Sequence, residues 1–366
     1  MSEIKVPSRS VMNYQKILII RLSAIGDVIR TLPSVKALKE HNPSSTIVWV
    51  VEEASKSLLE SQPEIDEVIV VPRKRWTEGI TSPLRIGRTL ADVVRFVRAL
   101  RKRRFDTTFD FHGLLKSGLL SYLSGAPTRV GFDRRWSKEW NFLFSNVRAN
   151  LPEDQIKKMN RFDQNLGLLR GIGLDVKDVK IGLSVPPGDR EVIEAFFRNM
   201  ATPLKRPVIA VHPGTSQKTR YKRWMPDRYA QLADRFVREL GATVLFTWGP
   251  GELDWVKAVQ KEMREPSLLG PPTESITQLA EIFRRCDLYV GGDTGPMHVA
   301  SMMGVPVVAI FGPTYPTVNA PFGRHRMVRQ DVGCNPCRNR ACEELTCLKA
   351  VTVDAVIHAT QDLLRS

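Results

Sequence analysis

A chain of 366 residues with 42% hydrophobic and 25% charged side chains carries enough apolar material for two globular domains of ordinary size, which excludes a disordered or fibrous protein. Its net charge of +15 and pI near 9.8 narrow the partners to anions: nucleic acid, an anionic membrane surface or acidic small substrates. The polar first sixteen residues lack the apolar core of a signal peptide, and no later run approaches membrane-spanning length, so a cytoplasmic location is expected.

Residues 16–21 (KILIIR) form a short β-rich apolar run, and Leu22-Ser23-Ala24-Ile25-Gly26-Asp27 leads from it into a helical pattern ending near Asn42-Pro43. Strand, small-residue turn and helix open a doubly wound α/β unit. Buried strands are predicted at 46–51 (TIVWVV), 67–71 (EVIVV) and 107–111 (TTFDF), alternating with helices, so the sheet is expected to be mostly parallel.

Between 73 and 104 stand eleven Lys or Arg against Glu78 and Asp92, so this segment alone carries +9 of the net +15. Within it, 90–104 sets Val93, Val94, Phe96, Val97 and Leu100 on one side of a helix and Arg95, Arg98 and Lys102 on the other. Such a helix either packs on a sheet with a solvated charged face or lies on a membrane surface.

Ser184-Val185-Pro186-Pro187-Gly188 is the best linker candidate and divides the chain into domains at 1–184 and 185–350. The second domain repeats the α/β pattern, with strands predicted at 207–212 (PVIAVH), 242–247 (ATVLFT), 288–291 and 306–311 (PVVAIF). Pro226 at a first helical position, apolar residues at helical spacing from Tyr229 to Leu240, and Gly241 at the end mark one of its helices. Residues 351–366 form a last amphipathic helix, for which return onto the first domain is one option. Two such domains would place the carboxyl ends of their strands around a crevice, where ligands bind in this class of sheet.

The second domain holds a candidate phosphate site. Its apolar strand Leu288-Tyr289-Val290 stops at Gly291-Gly292 and turns through Asp293-Thr294-Gly295 into a helix bearing His298. A helix N-terminus reached this way exposes backbone N–H groups and a positive dipole end. Four of the five cysteines cluster as Cys334-x2-Cys337-x4-Cys342-x4-Cys347. That is the ligand number for tetrahedral structural zinc; reduced thiols and an iron–sulfur cluster are the alternatives.

Read in order, 19–28 (IIRLSAIGDV) with Thr31-Leu32-Pro33, 112–117 (HGLLKS), 129–132 (RVGF), 212–214 (HPG), 222–224 (KRW), 248–252 (WGPGE) and 293–298 (DTGPMH) resemble glycosyltransferase family 9, the ADP-heptose:lipopolysaccharide heptosyltransferases. The first-domain motifs are most similar to the type that adds the first heptose. The resemblance runs from about residue 16 to 313 and leaves out the polar leader and the cysteine-rich region. It implies a GT-B fold, two Rossmann-like domains facing across a cleft, the acceptor held mainly by the first and the nucleotide sugar by the second. It also implies inverting, metal-independent transfer of heptose from ADP-heptose to Kdo-lipid A, at the cytoplasmic face of the inner membrane.

Under the resemblance, Asp27 is the base that takes the acceptor proton, although an Asp at a helix start also serves as an N-cap. Lys222 meets the donor phosphates, a role its neighbours Lys218, Arg220 and Arg223 could contest as an ordinary basic loop. Thr215, Ser216, Glu252, Asp293, Thr294, Gly295 and His298 complete the donor site, with Glu252 on the nucleoside. His112, Gly113, Lys116, Ser117 and Arg129 are expected on the acceptor. Its carboxylates and phosphates, and the anionic membrane around it, would use the basic excess. Another GT-B chemistry, with a different sugar donor or an epimerisation, is the alternative. A nucleic-acid-binding role is supported by charge alone, without an aromatic and basic recognition motif, and is set aside.

Overall fold

A computed structural model describes residues 14–82, 84–176, 179, 181–200 and 204–366; the polar leader at 1–13 lies outside the described residues. The chain divides into two compact units, Met1–Lys180 and Ile181–Ser366, with the division a few residues before the Pro-Pro-Gly linker candidate.

The first unit is built on six parallel strands, β1 (Lys16–Ile20), β2 (Thr46–Val51), β3 (Glu67–Val70), β4 (Thr107–Asp110), β5 (Thr128–Phe132) and β6 (Val147–Ala149). Their order across the sheet is β3-β2-β1-β4-β5-β6. The apolar residues of β1, from Ile17 to Ile20, are wholly buried because a central parallel strand is covered on both faces. Strand order reverses between β1 and β4, where Ile20 lies level with Asp110. At such a switch point the loops leaving the two strands part in opposite directions and open a crevice.

The second unit carries β7 (Val208–His212), β8 (Thr243–Phe246), β9 (Leu268–Leu269), β10 (Leu288–Gly292), β11 (Val307–Ile310) and β12 (His325–Val328), all parallel. Its order, β12-β11-β10-β7-β8-β9, is the same winding as the first unit, with the switch point between β7 and β10. The helix Pro226–Leu240 has its proline in the first turn and ends on Gly241 at φ +60°, a left-handed C-cap that suits glycine. Its inner stripe, Tyr229, Leu232, Ala233 and Phe236, is buried in one core with Trp224.

The C-terminal helix Val353–Arg365 packs on the Pro226–Leu240 helix and beside β12, and its Val356, Ile357 and Leu363 join the core of the second unit. Burying these three side chains contributes on the order of 5 kcal/mol, which explains why a segment that reads as separable is part of this core. Among the described residues no helix is long and apolar enough to cross a membrane.

Candidate active site

In the first unit the loops leaving β1 and β4 enclose a cavity of about 200 Å³, lined among others by Arg21, Asp27, Phe111, His112, Trp136 and Arg161. Asp27 lies inside the short helix Ile25–Ile29, whose N-cap is Ala24, and makes no capping bond. Its carboxylate is instead held between two guanidinium groups: Arg21 Nη2 stands 2.7 Å from Oδ2, and Arg30 donates to Oδ1. Burial alone would raise the Asp27 pKa, but Arg21, Arg30 and Arg161 outweigh it and hold the group far below the usual carboxylate range. The helix-cap reading of Asp27 is thus corrected: its backbone position is too far into the helix for capping.

Asp110, at the end of β4, is wholly buried and shapes the next loop. Its Oδ1 accepts from the backbone N–H of His112 at 2.9 Å and of Gly113 at 3.1 Å, and Oδ2 accepts from Asn141 Nδ2 at 2.7 Å. Gly113 takes φ +68°, which permits the tight turn. The turn aims the His112 ring into the cavity, where both ring nitrogens are buried without a protein partner. Burial, then the charges of Arg21 and Lys116, push its pKa down to about 3, so the imidazole is neutral near pH 7. Lys116 lies near the same charges: its ammonium is 3.8 Å from Glu52, and burial followed by Arg73 lowers its pKa.

Two residues expected on the acceptor are committed elsewhere. Ser117 is buried, and its hydroxyl caps its own helix by accepting from Leu114 N and donating to Leu114 O. Arg129 sits near the start of β5, level with Thr108 and so away from the strand ends. Its guanidinium donates to the carbonyls of Phe144 and Ala126 and lies over the Tyr122 ring.

In the second unit the turn after β10 meets a 3₁₀ segment, Gln217–Lys222, that follows β7. Lys222 Nζ is 3.0 Å from Asp293 Oδ2 and 3.1 Å from the Asp293 carbonyl, and Asn319 Nδ2 donates to the same Oδ2 at 3.2 Å. The turn then passes through Thr294, in the N-cap position, into the helix Gly295–Met302, which carries the buried His298. Gly291 has to be glycine, because a Cβ there would meet Tyr289 Oη at 2.4 Å and the His212 carbonyl at 2.9 Å.

Glu252 is buried and not the exposed carboxylate that a helix start suggests. Its Oε2 lies 3.2 Å from His212 Nε2 and accepts from Gly249 N at 2.9 Å, while His212 Nδ1 is 3.0 Å from Thr247 Oγ1. This chain of contacts leaves Oε1 as the oxygen available to a ligand. Glu252 is held below its usual pKa: desolvation opposes this, but the His212 hydrogen bond and charge prevail. Thr215 is buried and receives Arg223 Nε on its hydroxyl at 3.1 Å, so it braces the loop with Arg223, whose guanidinium lies over Trp255. Ser216 is exposed and shares its hydroxyl with Thr219.

Sequence reasoning missed roles for Arg21, Arg30, Arg161, His212 and Asn319. Arg21 and His212 stand at or just beyond the ends of predicted strands and could have been found there; Arg161 and Asn319 are brought in only by the fold. A larger cavity of about 470 Å³, lined by Phe197, Arg198, Arg206, Arg284 and Arg285, lies by the opposite ends of the second sheet's strands. Arg206, Arg284 and Arg285 are already paired with Asp287, Glu281 and Glu194, which leaves little charge for a phosphate.

Among the described residues no three His, Cys, Asp or Glu side chains gather closely enough to hold one metal ion. Cys334 and Cys337 are exposed while Cys347 is buried beside Leu348. Burial raises the Cys347 pKa, and the other three cysteines, near enough to be felt electrostatically, add to it. The four therefore share one neighbourhood, with Cys334 and Cys337 toward solvent and Cys347 in the core.

Two six-stranded parallel sheets of identical winding, each with polar groups at its switch point, match the GT-B fold of solved heptosyltransferase-family structures. The model of glycosyltransferase family 9 (heptosyltransferase) matches residues 93–348, and the chain belongs to this family. It is 28% identical to lipopolysaccharide heptosyltransferase 1 of Pseudomonas aeruginosa over 89% of this chain and 87% of that one. With lipopolysaccharide heptosyltransferase 2 of Salmonella typhimurium it shares 25% identity, covering 88% and 90% respectively. Among solved structures, a family 9 glycosyltransferase from Veillonella parvula superposes with a TM-score of 0.77 at 25% identity, covering 97% of this chain and 98% of that one. The E. coli heptosyltransferase WaaC with ADP superposes at 0.72 with 20% identity, covering 95% and 99%.

Proposed function

We propose that the protein transfers a heptose from ADP-heptose to the Kdo-lipid A inner core of lipopolysaccharide, inverting the anomeric centre and using no divalent cation. The observation that carries this reading is the meeting of Lys222, Asp293 and Asn319 beside the N-terminus of the Gly295–Met302 helix. A fixed ammonium beside a helix dipole is suited to the negative charge that grows on a departing diphosphate. Lys222 and the dipole take the part a metal ion plays elsewhere. Glu252 Oε1 accepts from a hydroxyl of the nucleoside, and Asp293 is placed to orient the sugar.

In the transfer, the acceptor hydroxyl oxygen bonds to the anomeric carbon, the carbon–oxygen bond to the diphosphate breaks, and ADP leaves with the electron pair. The hydroxyl proton passes to Asp27. A carboxylate held so far below its usual pKa is a weak base, yet it is always ionised. It needs to accept the proton only after bond formation has begun, when the oxonium is far more acidic than a carboxylic acid. Neutral His112 offers the acceptor a hydrogen bond without adding charge next to Arg21.

The test is incubation with ADP-heptose and de-acylated Kdo2-lipid A, followed by mass measurement. Addition of one heptose is expected, and a pre-heptosylated acceptor should react poorly. Absence of product beside an active control enzyme would reject the reading. Turnover of donor without acceptor would point to epimerisation.

A further inference from the structure

We propose that the outer side of the Ile86–Lys102 helix, with Ile80 and Leu84 just before it, is a docking face for an anionic lipid bilayer. Of the twelve large hydrophobic side chains that stand exposed among the described residues, ten lie between 80 and 143. Ile86, Leu90 and Val94 follow one another at four-residue steps and so share a stripe on the helix. This stripe is not the one that packs inward: Thr89 and Leu100 are buried, and Phe96 meets Trp76 edge to face. The apolar arc of the helix is therefore wider than the fold covers. Leu84, in the connection leading to the helix, is 94% exposed and Leu90 is 54% exposed. Apolar residues left out in one group, and not singly, mark a contact surface.

The fringe of this stripe identifies the occupant. Arg75 and Arg95 share Asp92, and Arg73 is paired with Glu52, but exposed Arg85, Arg88 and Arg98 have no carboxylate partner among the described residues. A second copy of a chain with net charge +15 would bring more of the same charge to this face. Nucleic acid would take the arginines and leave Leu84 and Leu90 in water. A bilayer with anionic headgroups satisfies both sets of side chains: aliphatic groups enter the headgroup and acyl boundary while guanidinium groups stay among the phosphates. This inference does not depend on the heptose reading, because its readout is lipid binding and not turnover.

Full-length protein would be sedimented with vesicles of phosphatidylcholine alone or containing about one third phosphatidylglycerol. Wild type is expected to bind the anionic vesicles much more tightly. Leu84→Ser with Leu90→Ser should weaken binding about ten-fold at low and high salt alike. Arg88→Gln with Arg98→Gln should weaken it about five-fold per charge removed at low salt, with the gap closing as salt screens the headgroups. All four positions are exposed, so the unfolding temperature should stay at the wild-type value and separate lost docking from lost fold. The proposal is overturned if the leucine pair leaves vesicle binding unchanged. It is equally overturned if that pair abolishes self-association of a chain that does not bind vesicles, or if the arginine pair governs RNA binding while vesicles are ignored.

Discussion

Replacing Asp27 by Asn keeps the size of the side chain and removes its ability to accept a proton. Loss of a positioned acid–base group costs roughly 10²- to 10⁴-fold in kcat, or about 3 to 5 kcal/mol of barrier. Stability should fall as well, because Arg21 and Arg30, each about one-tenth exposed, would face a neutral amide. The carboxylate is 28% exposed, so this cost is discounted from that of a fully buried pair to about 1 to 3 kcal/mol. A depressed folded pKa means that the stabilisation from Asp27 is present above the unfolded value near 4 and is lost as pH falls toward the folded value. The stability gap between wild type and D27N should therefore be constant above roughly pH 5 and shrink below it. Steady-state kinetics with ADP-heptose, denaturant unfolding across pH, and ADP binding by calorimetry measure these effects. The reasoning is refuted if D27N turns over near the wild-type rate. It is also refuted if wild type shows an acid limb in kcat near neutral pH that D27N abolishes.

Lys222→Met should lower kcat by about 10²- to 10³-fold and weaken ADP binding, since a charge stabilising the leaving group is removed; steady-state rates and calorimetry check both. His212→Gln is expected to raise the KM for ADP-heptose about three- to ten-fold with little change in kcat, because Glu252 loses the partner that orients it. The half-buried His112, with a folded pKa of about 3 against an ordinary value of 6.5, binds fewer protons folded than unfolded. Its contribution to stability is full above about pH 6.5 and falls on acidification, a loss that His112→Gln should lessen in pH-dependent unfolding. Gly291→Ala should destabilise by about 1 to 3 kcal/mol in denaturant unfolding, since the new methyl would press on Tyr289 Oη and the His212 carbonyl.

The sequence alone determined that two α/β units follow one another, because buried parallel strands are continuous apolar runs and helices repeat at 3.6 residues. The predicted strand at 46–51 coincides with β2 and the Pro226–Leu240 helix with its proline and glycine caps. The short strands β5, β6, β9 and β12 escaped, since β5 and β6 carry arginine, β12 has two exposed residues, and β9 has only two residues in all. Motif order also brought out Asp27, Lys222 and Asp293. The tertiary structure alone decided which of those residues meet. Strand order is set by which loops cross where, and it put Arg21 and the Asp110–His112 turn at one crevice and Lys222 with Asp293, 71 positions apart, at another. It also turned Ser117 and Arg129 to their own backbone neighbours, because a side chain's partner depends on the direction its strand or helix gives it and not on its chemical type.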